Sequence, residues 1–305
     1  MKMIFKRILL SMLAGATLCC MGGCAKKVTV VDEIPDEYRQ PCENGGTIEL
    51  FTYPTKDYYG TMGDIEKQAY IYLPYGYDET KQYNVMYLLH GIGGDIWEWG
   101  MTGEDSDVKK IMDNLIANGD IEPFIVITPN GRASKDNGPN SDSNSFYEFG
   151  KELRYDLIPY VDEHYATYAD YGEDYDVTDA RDHRAIAGLS MGGMQTTNIG
   201  LCECLDMFSY FGAFSSCPTT YTASEIALKL EGFPDYDIKY FYNLCGTEDG
   251  IAISHHTNAV EGLCDLTDKL KDGKNFMWQT RSGGHDFNIW FLGFYNFAQI
   301  AFTQG

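Results

Sequence analysis

Short runs of continuous apolar residues, separated by stretches of helical periodicity, most constrain what this chain can fold into. Residues 69–74, 85–90, 124–128, 184–187, 210–214, 239–245 and 276–280 read as strands. A strand that alternates apolar and polar residues buries one face; a run such as Phe124-Ile125-Val126-Ile127 is apolar on both and must be covered on both. The intervening segments supply the cover. Val108, Ile111, Met112, Leu115 and Ile116 recur on one helical face, and Leu153, Leu157, Ile158 and Val161 mark another helix. A further helix is predicted from about Asn258 to Leu270, and a last amphipathic one runs through Phe302. This alternation predicts a single α/β domain with a mostly parallel central sheet and helices on both faces. With 305 residues, 44% of them hydrophobic, the chain is long enough for a large core.

The formal charge of −22 excludes a nucleic-acid partner, which needs a basic surface, and a polybasic grip on anionic membrane. The first residues read as an export signal rather than as part of the fold. Lys2, Lys6 and Arg7 precede a short apolar run, residues 8–18, too short to span a bilayer. Met21-Gly22-Gly23-Cys24 then resembles a bacterial lipobox, with Met21 in place of the usual leucine, so that Cys24 becomes the lipidated N-terminus. The expected organisation is a signal peptide over 1–23, a polar tether over 24–45 punctuated by Pro35 and Pro41, and an enzyme domain over 46–305. The expected place is the outer surface of a bacterium, with membrane contact only through the lipid. Beyond Cys19, Cys20 and Cys24, six cysteines remain, none in zinc-like C-x-x-C spacing. Cys245 falls in a strand, and Cys202 and Cys204 are assigned to a helix, so buried free thiols are expected rather than a disulfide framework.

The chemistry starts at Gly188-Leu189-Ser190-Met191-Gly192. A serine between small residues, after a buried strand and before a helix, is the nucleophile elbow. The turn lifts the Ser190 hydroxyl above the sheet and leaves the Met191 N–H at a helix start, free to donate to an oxyanion. Serine needs a histidine base, oriented in turn by a carboxylate. Of six histidines, His285 in Gly283-Gly284-His285-Asp286 follows the last strand and is taken as the base; His255 and His256 read as exposed polar residues at a helix start. Asp249, directly after the strand over 239–245, is the favoured acid with Glu248 as the fallback, and Asp286 reads as a loop-structuring residue. Leu89-His90-Gly91-Ile92-Gly93-Gly94 matches the loop that carries the second oxyanion donor, placing it on the Ile92 N–H, with His90 supporting the turn. Trp97, Trp99 and Trp290 are candidates to stack on substrate. The Asn/Ser/Gly/Asp-rich stretch 130–145 is the kind of long loop that serves function or moves, and acidic 170–182, without EF-hand spacing, reads as a solvated loop.

With these parts in place, the chain resembles the feruloyl and acetyl xylan esterases of carbohydrate esterase family one, the esterase D-like branch of the α/β hydrolases. The resemblance runs from about Ala69 to Phe302. It rests on residues 88–94, Thr128-Pro129-Asn130, residues 183–193 and residues 283–290. Carried over by motif, the family's triad falls on Ser190, Asp249 and His285. The resemblance implies an α/β-hydrolase fold, no metal or organic cofactor, and acyl esters of plant cell-wall polysaccharide or oligosaccharide as substrate, ferulate ahead of acetate. The expected activity is that of an exported serine esterase working through an acyl-enzyme. Transfer of the acyl group to a carbohydrate acceptor, and a non-catalytic surface glycan-binding lipoprotein, are the alternative readings.

Overall fold

The structure, a computed structural model, describes residues 30–303. The expected signal peptide, lipobox and Cys24 lie outside the described residues. Eight strands form one sheet in the order β1-β2-β4-β3-β5-β6-β7-β8. They are β1 (Thr47–Lys56), β2 (Asp64–Leu73), β3 (Asn84–Leu89), β4 (Phe124–Pro129), β5 (Arg184–Leu189), β6 (Tyr210–Phe214), β7 (Tyr240–Gly246) and β8 (Phe276–Arg281). β1 and β2 form an antiparallel hairpin that adds to β4, and β3 through β8 run parallel, as the apolar runs imply. The helices are α1 (Asp107–Ala117), α2 (Phe149–Glu152), α3 (Ile158–His164), α4 (Met191–Met194), α5 (Ala223–Leu230), α6 (Ile253–Val260), α7 (Leu263–Leu266) and α8 (Phe287–Ile300). A π turn over Leu153–Leu157 joins α2 to α3, and α4 runs on as a π segment over Gln195–Leu201.

Period-two alternation splits each parallel strand between two cores. In β3, Val85, Tyr87 and Leu89 enter the core beneath α2, α3, α5 and α7, while Met86 and Leu88 enter the one beneath α1 and α8. Both sets are buried, which is why the sequence shows no polar face. α1 starts at Ser106, whose hydroxyl accepts the Lys109 N–H at 3.2 Å; α5 starts with a Thr222/Glu225 capping box.

Three local expectations change. The helix placed at 258–270 begins earlier and is broken in two, because Gly262 takes φ +75 between α6 and α7. Cys202 caps the π segment and Cys204 lies in the turn beyond it, rather than within a helix, since the chain leaves the helix at Leu201. All six described cysteines are free, four of them buried. The described part of the expected tether lies on the domain: the Val31 N–H donates to Asn296 at 3.1 Å, the Tyr38 hydroxyl to Asp120 at 2.7 Å, and Ile34 is buried. No helix of the described residues is long and apolar enough to cross a membrane.

Candidate active site

Parallel strands point their C-terminal ends at one rim of the sheet, and β5, β7 and β8 deliver Ser190, Asp249 and His285 there. Ser190 sits at φ 52, ψ −110, a conformation that costs a serine on the order of 1–3 kcal/mol. Tertiary bonds hold it. Its N–H donates to Phe214 O at 2.9 Å, and its carbonyl accepts from Met194 N at 3.0 Å and Cys217 N at 3.1 Å. A Cβ on Gly188 would stand 2.6 Å from the Gly192 backbone, and one on Gly192 would stand 2.5 Å from Leu89 O. Only glycine lets strand, helix and the neighbouring β3 end come this close.

His285 Nε2 lies 3.0 Å from Ser190 Oγ, and His285 Nδ1 lies 2.8 Å from Asp249 Oδ2. A carboxylate on Nδ1 keeps the ring proton there, so Nε2 offers its lone pair to the serine hydroxyl. The other Asp249 oxygen accepts the Ile251 N–H at 3.1 Å and the Ala252 N–H at 2.8 Å. Burial alone would raise the Asp249 pKa; bonds from His285, the Ala252 N–H and the Ser215 hydroxyl outweigh it and bring it down to about 2. Ser215, at φ 46 directly after β6, is a functional position that sequence reasoning missed. The available signal was a polar residue ending the apolar run beside the elbow strand. Glu248 points elsewhere: it accepts the Gly283 N–H and, at 3.3 Å, the Ser282 hydroxyl, bracing the His285 loop. Asp286 caps α8, accepting the Asn288 N–H at 2.8 Å.

The loop after β3 crosses the elbow, with a Cβ on Gly91 only 3.4 Å from Ser190 Cβ. Three side chains clamp it. His90 Nε2 accepts the Gly131 N–H at 3.0 Å, so its proton resides on Nδ1, which donates to Gly91 O at 2.7 Å. The acceptor carbonyl belongs to the peptide whose N–H is that of Ile92. Burial takes the His90 pKa down to about 4, so the ring is neutral near pH 7. Arg132, fully buried, donates to Gly94 O at 3.0 Å and to Ile92 O, with its guanidinium 4.5 Å from the Phe146 ring. Glu98 accepts the Gly91 N–H at 2.5 Å. As the first residue of α4, Met191 has no intrahelical acceptor for its N–H. Gln195 completes the scaffold from the nucleophile helix, donating to Gly131 O at 2.8 Å and Phe146 O at 2.9 Å. Arg132, Glu98 and Gln195 were not singled out in the sequence; the stretch 130–145 was, as a long loop that serves function or moves, without its part in this packed brace.

The tryptophans divide. Trp97 is 50% exposed. Trp99 is not available to substrate: it is fully buried among Phe214, Phe287, Phe291 and Phe294, with its indole N–H on Leu89 O at 3.0 Å, because a large apolar ring beneath the β3 end is core. Trp290 is mostly buried and meets His285 edge to face at 5.0 Å. His255 is exposed, but His256 is buried behind the acid loop, its Nδ1 accepting the Ser216 N–H at 3.2 Å and its Nε2 3.0 Å from Asn243 Oδ1. The earlier start of α6 turns it inward.

A sequence model of the esterase family, described as "Putative esterase", matches residues 62–290, about three quarters of the chain. The chain is 38% identical over 177 residues to endo-1,4-beta-xylanase Y of Acetivibrio thermocellus and 36% identical over 211 residues to an endo-1,4-beta-xylanase/feruloyl esterase of Xylanibacter ruminicola. Those matches cover 58% and 68% of this chain but only 15% and 25% of the two relatives. The feruloyl esterase module of Clostridium thermocellum, solved as a serine-to-alanine mutant with sinapinate, superposes with a TM-score of 0.75 at 28% identity, covering 92% of this chain and 96% of that one. The CE1 ferulic acid esterase of the anaerobic fungus Anaeromyces mucronatus gives 0.72 at 26% identity, covering 91% and 99%. With the family model spanning both the elbow and the histidine loop, the chain belongs to the esterase family, and its sheet and helices are those of the α/β-hydrolase fold of the CE1 ferulic acid esterases.

Proposed function

We propose that this chain is an exported serine esterase that removes acyl groups, ferulate ahead of acetate, from plant cell-wall polysaccharide. The observation that carries the reading is the hydrogen-bonded chain from Ser190 through His285 to Asp249. Ser190 attacks the ester carbonyl while His285 takes its proton; the Ile92 and Met191 N–H groups hold the oxyanion; His285 returns the proton to the departing sugar hydroxyl. Water then attacks the acyl-enzyme by the same route and releases the acid. Asp249 orients the imidazole and stabilises its charged form.

The preference for an aromatic acyl group draws on half-exposed Ile92 and Trp97 and on Met191, a soft side chain beside the oxyanion position. The related module of Clostridium thermocellum holds sinapinate, a phenylpropenoate. Burying such a group contributes on the order of 2–3 kcal/mol, or about thirty- to a hundredfold in kcat/KM. The test compares methyl ferulate with an acetyl ester of matched leaving group, and labels Ser190 with a fluorophosphonate read by peptide mass. A higher kcat/KM for the acetyl ester overturns the acyl preference, and label found away from Ser190 overturns the mechanism. Carbohydrate acceptors added to the assay distinguish hydrolysis from acyl transfer by product. Export with lipid on Cys24 rests on the basic, apolar and small-residue order of residues 1–24. Mass spectrometry of the native mature protein checks it: an unmodified N-terminus at any other residue refutes the anchor.

A further inference from the structure

Asn84 at the start of β3, His183 just before β5, Tyr210 at the start of β6 and Lys239 just before β7 line a cavity of about 660 Å³. It lies at the N-terminal ends of the parallel strands, whereas Ser190, Asp249 and His285 follow their C-terminal ends. A six-residue strand spans about 20 Å, so this cavity is separate from the site described above.

Two tyrosines that line it are left to solvent, Tyr75 at 59% and Tyr168 at 39% exposure. Tyr168 is held rather than loose. Its ring stacks on His183 at 3.7 Å and 10°, and His183 Nδ1 lies 2.7 Å from Asn84 Oδ1. A phenol ring locked in place yet wet has already lost the freedom that binding would take from it. The polar lining carries both signs: Lys239 pairs with Asp182 at 3.5 Å, and Glu122 and Lys81 also contribute. Mixed charge favours neither an isolated anion nor a cation. A held aromatic ring and a second, exposed one beside donors and acceptors match a neutral polyhydroxylated ring, whose C–H face stacks and whose hydroxyls hydrogen-bond.

We infer that this cavity is a second binding site for neutral xylan-type chains, anchoring the polymer remote from the ester being cleaved. The inference rests on the polysaccharide-esterase reading and is tested separately from it. Wild type, Tyr75→Ala and Tyr168→Ala run through gels containing soluble de-esterified arabinoxylan, with methyl ferulate turnover measured on the same preparations. Each substitution is expected to weaken arabinoxylan retardation by about fivefold to tenfold. Methyl ferulate kcat/KM should stay unchanged, and ferulate release from insoluble arabinoxylan should fall. Wild type with Ser190 blocked by fluorophosphonate should still be retarded. Wild-type retardation in both variants, or no retardation of the wild type, overturns the second site while leaving the esterase reading intact. A wild type that is retarded but inert on both methyl ferulate and the acetyl ester overturns the esterase reading instead. Where Tyr168→Ala loses its fold by circular dichroism, Tyr75→Ala decides alone, since its exposed ring supports little else.

Discussion

At Ser190 a φ of 52° sets what every neighbour must be. Replacing Gly188 by alanine puts a methyl group 2.6 Å from the Gly192 backbone, which has no flexible end to yield; a loss of at least about 2 kcal/mol in urea unfolding is expected, with activity falling alongside. Ser190→Ala and His285→Ala should each lower kcat on methyl ferulate by about three orders of magnitude or more with circular dichroism unchanged. A folded His285→Ala variant at near wild-type turnover would remove it from the role of base. Asp249→Asn should cost less than either, and Glu248→Gln less still, because Glu248 touches the loop and not the imidazole. Sequence singled out Ser190 and His285 through glycines that a tight turn demands, and the structure brings the two within 3.0 Å. Sequence favoured Asp249 but kept Glu248 as a fallback, since adjacent residues in a turn point in directions that spacing does not encode. It missed Ser215 because that hydroxyl meets Asp249 from another strand.

The elements were readable where one physical demand dominated. Strands covered on both faces must be nearly apolar throughout, and the runs in β3 through β7 are, broken only by hydrogen-bonded buried polar residues such as Arg184 and Asn243. β1 was harder, since an edge strand with a wet face carries only a partial pattern. The break at Gly262 was unreadable because an apolar-periodic segment continues past it. Loop-to-loop bracing left little local trace: His90 was read as supporting its turn, but its partner on the Gly131 loop was not foreseen. The β3 loop depends on His90, which accepts the Gly131 N–H, and on Arg132, which reaches across from the Gly131 loop to donate to the Ile92 and Gly94 carbonyls. His90→Ala should release the Gly91 carbonyl and with it the aim of the Ile92 N–H. Removing one oxyanion donor costs about 10²–10³ in kcat, so misaiming one should cost at least about tenfold, with KM for methyl ferulate little changed. An effect confined to KM would assign His90 to substrate binding instead.

For the whole molecule, buried histidines set the response to acid. Burial lowers the His90 pKa to about 4 and the His256 pKa to about 3, against about 6.5 in an unfolded chain. The unfolded chain therefore takes up protons that the native state refuses. Their contribution to stability is whole above about pH 6.5 and declines as pH falls toward 4 and then 3, each at up to about 1.4 kcal/mol per pH unit. Asp249 acts in the same direction at lower pH: with its pKa lowered to about 2, its contribution is whole above the ordinary carboxylate range and is lost as pH falls below about 4. Urea midpoints at pH 7, 5.5 and 4.5 should fall steadily, and His256→Gln, if it folds, should flatten the slope. A midpoint unchanged across that range would contradict the buried neutral histidines. The free cysteines have a practical consequence of their own. Burial pushes the Cys202 and Cys245 thiols up to about 12 and raises those of Cys204 and Cys217, which keeps them protonated and poorly reactive. Among the described cysteines only Cys42 and Cys264 are half-buried, so a thiol-reactive dye carries a built-in gauge of the domain's integrity. Of the six described sulfhydryls it should count about two as fast in the intact domain and all six once the domain opens, so a storage sample can be graded for damage without any substrate.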